Sequence, residues 1–320
     1  MAKKLSLKTT WDLVKKTFSG YSDDNVSKLS GSLAYATVFS MGPLLVVIIS
    51  LCGLFLGREA IEGKIYGQIE HFVGHDTAIQ LQEIIRNAFI AGKGKIAIII
   101  GGIALLVGAT GVFSEIQDSI NIIWGLKPKP KRGWLKMLQN RFLSFSVIIG
   151  LGFLLLVSLS VTTLIEGFSN HLKAMYPNVA VVIFYVLNLL ITLGITTLIF
   201  AVIFKVLPDA RIRWRDVIAG ALTTAILFML GKFGISFYIS KSNIGSTYGA
   251  AGSLVVLLLW IYYSSIILYL GAEFTKAYAM EYGTEIRPST YAVTTRLVEV
   301  ETGKASVQEK EKEKDKEKKE

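Results

Sequence analysis

The sequence predicts an all-α fold, a polytopic membrane bundle of six transmembrane helices with amphipathic helices in the N-terminal segment and the first loop. Three observations carry this. Ser253 to Ala272 is twenty residues without an ionisable group, and at about 1.5 Å rise per residue a helix of that length covers the ~30 Å hydrocarbon layer of a bilayer. The pattern recurs: Leu33 to Leu56, Ile96 to Ser114, Phe142 to Ile165 and Val179 to Phe204 lack Asp, Glu, Lys and Arg, and Val217 to Ile239 carries only Lys232. With 52% hydrophobic and 18% charged residues, the charges must crowd into the connections, which is how a lipid-dissolved chain segregates them. A buried helix in a soluble core is the competing reading, but it would have to be apolar on every side and occur six times over.

Residues 1–31 form the first unit. Trp11, Val14 and Phe18 recur at helical spacing beside Lys8, Lys15 and Lys16, so a short amphipathic helix on the cytoplasmic membrane surface is expected. The six-helix domain covers 32–283, with spans at about 33–56, 96–124, 142–165, 179–204, 217–239 and 253–278 and an outer loop at 57–95. Pro43 lies ten residues after Leu33, about 15 Å deep. A proline there removes one backbone hydrogen bond and kinks the helix near Tyr35 and Ser40, as a packing feature or as a hinge.

The 57–95 loop has an apolar stripe of Ala78, Leu81, Ile84, Ile85, Ala88 and Phe89 and should lie against the membrane or cap the bundle. His71 and His75 stand four apart in it. Gly74 interrupts them, the Glu of H-E-x-x-H is missing and the only other histidine is the distant His171, so no metal is expected. The lone Cys52 sits in the first apolar run and supplies neither a disulfide nor a thiolate cluster. A cleavable signal peptide is not expected, because that run starts thirty residues in and exceeds a signal h-region.

The second span continues into polar residues. Glu115, Asp118 and Asn121 are spaced by three and share one side of the helix, and a basic loop with Pro128 and Pro130 follows. In the fourth span Asn188, Thr192 and Thr196 repeat every four residues, a polar seam for a neighbouring helix or a cavity. Lys plus Arg number six in the N-terminal segment, five in the long loop, then six, one, four and one in successive loops, and ten from Lys276 to the end. The short loops alternate, which puts both termini in the cytoplasm. Lys232 can then snorkel outward. Glu115 and Glu273 sit level with each other, roughly 28 Å from the outer face, where Arg141, Arg211, Arg213 or Arg215 can meet them. Residues 284–320 read as a disordered charged cytoplasmic tail. From Lys304 onward it holds seven Lys against six acidic residues with no apolar face.

Several function classes drop out. The net charge of +10 sits in short basic segments, where headgroups explain it better than nucleic acid does. No P-loop and no G-x-S-x-G elbow occurs, and Gly108 and Gly111 read as close-packing residues. No catalytic residue and no cofactor is expected, and the chain is not read as an enzyme.

The landmarks then combine. Ala34-Tyr35-Ala36 with Ser40-Met41-Gly42-Pro43, Gly111, Asn121-Ile122-Ile123-Trp124, Leu207-Pro208-Asp209 with Trp214-Arg215-Asp216 and Gly220-Ala221, Tyr248-Gly249-Ala250-Ala251-Gly252-Ser253, Leu259-Trp260-Ile261-Tyr262 and Gly271-Ala272-Glu273 stand in this order over residues of about 20 to 283. Together they resemble the BrkB/YihY family, which carries an old ribonuclease BN label that no H-x-H-x-D-H cluster here supports. The resemblance implies a six-span bundle in the bacterial inner membrane and transfers no catalytic residues. Its expected role is a transporter or a translocator of lipid or another envelope component. The alternative is a non-transporting scaffold recruiting partners through the 57–95 loop and the tail. Candidate path residues, or a structural polar cluster, are Glu115, Asp118, Asn121, Glu273, Arg215, Asn188, Thr192 and Thr196. Pro43 is the candidate hinge, and Tyr248, Gly249 and Gly252 form a close-packing motif. Membrane lipids are the expected partners, nucleic acid is not, and self-association into a homo-oligomer stays open.

Overall fold

A computed structural model describes residues 7–40, 111–129, 177–241, 252–283, 285–289 and 292–295. Helix α1, Leu7–Asp23, buries Leu13 and Thr17. It stops where Asn25 takes a left-handed conformation with φ 51°, which asparagine tolerates better than most side chains. The Asn25 carbonyl then accepts the amides of Lys28 and Leu29 at 2.9 and 3.2 Å and starts helix α2, residues 26–40. Helix α3, residues 111–123, ends two residues before Gly125, whose φ of 66° lets the chain reverse into strand β1, Leu126–Pro128.

Three long helices follow. Helix α4, Pro177–Val206, opens on a proline, whose missing amide costs nothing at a helix start. It closes before Pro208, which cannot continue it. Strand β2, Ala210–Arg211, leads to α5, Trp214–Lys241, with Asp216 in its first turn and Lys241 in its last, each favourable to the helix dipole. Helix α6, Gly252–Tyr282, has 31 residues and is about 46 Å long. Leu189–Val206, Trp214–Ile235 and Leu254–Tyr282 are three stretches long and apolar enough to cross a membrane among the described residues.

Hydroxyl groups on these helices close onto their own backbone. Thr197, Thr223, Thr224, Ser264, Ser265 and Thr275 each donate to the carbonyl four residues earlier, at 2.7 to 3.0 Å. That pairing removes the penalty of an unpaired polar group where water is absent.

Helix α5 is built inside-out relative to a soluble helix. Val217, Gly220, Ala221, Thr224, Ala225 and Gly231 face the protein, while Ile218, Leu222, Ile226, Leu230, Phe233 and Phe237 face outward, Phe233 with 78% of its surface exposed. Small residues inside and large apolar ones outside suit a lipid solvent. Packing of α5 on α6 follows from two matching notches. Thr275 seats over Gly220 and Thr224 over Gly271, and a methyl at either glycine would overlap the opposing threonine. Thr224 also bonds to Gly220, and Thr275 to Gly271. The register makes the two helices antiparallel. Phe200 and Phe228 cross edge-on with centroids 5.8 Å apart where α4 meets α5.

The all-α expectation needs one correction. After α6, strands β3, Arg287–Pro288, and β4, Ala292–Thr294, return over the bundle end, β3 pairing antiparallel with β2 and β4 with β1. Of the segment 284–320 read as a disordered tail, this part is ordered, because the loops after α3 and α4 offer backbone partners that a charge count does not reveal. Lys232 is exposed. The helix bounds 177–206, 214–241 and 252–282 extend the expected spans by a few residues. Pro43, Tyr248, Gly249 and the 57–95 loop lie outside the described residues.

Candidate functional site

Residues 265–279 of α6 are enclosed where α1, α3 and α5 converge, and each neighbour meets a different stripe. Helix α5 covers Gly271 and Thr275. From the end of α3, the Trp124 indole N–H donates to the Ala272 carbonyl at 3.1 Å. Helix α1 takes the remaining side, its Lys16 paired with Glu281 at 2.7 Å.

One polar centre joins α3 to the turn after α4. Asp209 receives the Asn121 amide at 3.2 Å and the Gln117 amide at 3.3 Å on Oδ2, and its backbone N–H donates to Asn121 Oδ1 at 2.9 Å. Its carbonyl accepts from the Ser289 amide at 2.9 Å, so the returning strand is fastened to the same residue. Nearby, Lys205 donates to the Ile212 carbonyl and lies over the Trp214 ring, 5.5 Å from its centroid.

A second centre lies between α1 and α6. Glu273 is 2% exposed, and its Oε2 is 3.5 Å from the Lys276 ammonium, which also binds Asp24 at 3.0 Å. Two carboxylates therefore flank one ammonium, a formal charge of −1. Glu273 Oε1 is buried without a hydrogen-bond partner. The carboxyl seats against Gly20, where a Cβ would overlap it and have to push it aside. One turn away the buried Tyr269 hydroxyl lies beside Ser119, with Glu115 and Asp118 near it.

The expected acidic face of α3 divides. Asn121 is buried on Asp209, Glu115 is half-buried and Asp118 is exposed. Arg215 is exposed and takes part in none of the described ion pairs, and among the described residues the cation beside Glu273 is Lys276, while Arg141 lies outside them. Thr192 is exposed, Thr196 half-buried, and Gly252 buried at the start of α6, while the Asn188 side chain lies outside the description. Among the described residues no three His, Cys, Asp or Glu side chains could hold a metal. Sequence reasoning missed Asp209, Gln117, Gly20, Asp24, Lys276 and Tyr269. Lys276 was legible three residues after Glu273. Asp24 was not, since it is some 250 residues away in the chain.

A model of the family described as Virulence factor BrkB matches residues 17–293. A UPF0761 membrane protein of Alteromonas mediterranea is 26% identical over 257 residues, covering 79% of this chain and 83% of that protein. Another, of Tolumonas auensis, is 28% identical over 79% of this chain and 80% of its own length. A third, of Paraburkholderia xenovorans, is 29% identical over 84% of this chain and 60% of its own. No solved structure matches.

Proposed function

Since this chain belongs to the BrkB family, we propose that it is a six-span protein of the bacterial inner membrane, both termini cytoplasmic, that moves a lipid or another envelope component without catalysing a reaction. The carrying observation is the enclosed polar interior around α6. Glu273 is buried, with Asp24 and Lys276 partly buried beside it, in a bundle whose outer faces are apolar, and a buried ionisable group in such a place is expensive to keep. The exposed Arg211, Arg213 and Arg215 beside Trp214 suit the same role by gathering anionic headgroups at the cytoplasmic interface.

The test is complementation of a deletion strain, read by envelope lipid composition and permeability. The triple variant E115Q/D118N/E273Q is expected to reach normal membrane abundance and restore neither. Full restoration by that variant would sink transport. If instead removal of 296–320, which spares the β3 and β4 pairing, abolishes function, the chain is a scaffold that recruits partners through its tail.

A further inference from the structure

We propose that Glu273 is an exchangeable proton site covered by α1, so that the transport reading, on which this rests, acquires a proton as its coupling ion. The first ground is charge. Asp24, Glu273 and Lys276 form a group, buried at Glu273 and partly buried at the other two, with one negative charge in excess, and a single proton neutralises it. The second is valence. Glu273 Oε1 is buried and accepts no hydrogen bond, Oε2 faces Lys276, and the Asp24 carboxyl lies within hydrogen-bond reach of the Glu273 carboxyl, so one added proton gives this carboxylate pair a donor.

A metal cation does not fit the same place. It would need about six oxygen ligands, whereas this group offers two carboxylates with an ammonium already between them. A proton needs one lone pair. On binding, the carboxylate becomes a neutral acid and the group's charge rises from −1 to 0. On release, the proton leaves to water on whichever side has access.

Access is where α1 enters. Its Gly20 sits directly on the Glu273 carboxyl, and ion pairs hold it at both ends of the contact, Lys16 with Glu281 at 2.7 Å and, from the turn after α1, Asp24 with Lys276 at 3.0 Å. On the far side the buried Tyr269 hydroxyl, one turn from Glu273 on α6, lies beside Ser119 and near the carboxylates Glu115 and Asp118 of α3. The ionisable groups facing the site are thus Asp24 and Lys276, then Lys16, Glu281, Glu115 and Asp118 one turn further out.

The experiment is pH-difference infrared spectroscopy on the full chain in liposomes. Acidification is expected to raise a protonated-carboxyl band that Glu273→Gln abolishes and Glu115→Gln leaves. An identical band in Glu273→Gln overturns the proposal. Should that variant not fold, Lys276→Gln keeps the carboxyl but removes the ammonium that favours its charged form, so the band must persist to higher pH; an unmoved titration is equally fatal. Because the band needs no substrate, a proton site without transport, and transport without a proton site, give different results.

Discussion

Single residues act here through what they leave room for. Gly220 and Gly271 each admit a threonine that is branched at Cβ and held by its own helix carbonyl, so the neighbour cannot swing away. Gly220→Ala is expected to cost about 1–3 kcal/mol, measured as thermal unfolding in detergent, and the added Thr275→Ala change should return part of it. Strict additivity would mean the notch is not a contact. Gly20 differs because it faces the movable end of Glu273, so Gly20→Ala should displace the carboxyl more than it destabilises the fold. Asn121→Ala, which removes a bond in each direction to Asp209, should cost about 1–3 kcal/mol by the same assay. These pairings were invisible in the sequence. Gly220 and Gly271 read as landmarks of a family pattern, yet nothing local said that each was the other helix's socket.

At the scale of elements, the returning strands matter as much as the helices. Strands β3 and β4 stitch the loop after α4 to the loop after α3, with the Ser289 amide on the Asp209 carbonyl and the Thr295 amide on the Gly125 carbonyl at 2.8 Å. A chain ending after residue 283 should therefore melt earlier than the full protein, and one ending after 295 should melt with it. Equal melting of the two truncations would show that the strands are passengers. Helix α1 shows how an amphipathic pattern divides its work. Trp11 and Phe18 stand 60% and 58% exposed on one side, while Leu13 and Thr17 are buried and Gly20 meets Glu273 of α6. The spacing of apolar residues revealed the helix, but a glycine and a threonine carry no apolar signal and so its second face went unread.

For the whole molecule the question is which solvent the outer surface meets. Leu230 is 67% exposed on α5, so Leu230→Lys should hinder membrane insertion by about 2.5–3.5 kcal/mol if it lies near the bilayer centre, read as the inserted fraction in a translocon assay. On a water-facing surface the same change would do nothing. The lipid-facing character of the chain was fully written in its sequence, because twenty-residue uncharged runs and segregated cations are properties of stretches that no distant contact can alter. The tertiary structure alone decided which polar residues meet: Asp24 with Lys276, Asp209 with Asn121, Gly20 under Glu273. Such meetings depend on helix rotation and register, which are set by the packing of small residues and leave no periodic trace along the chain.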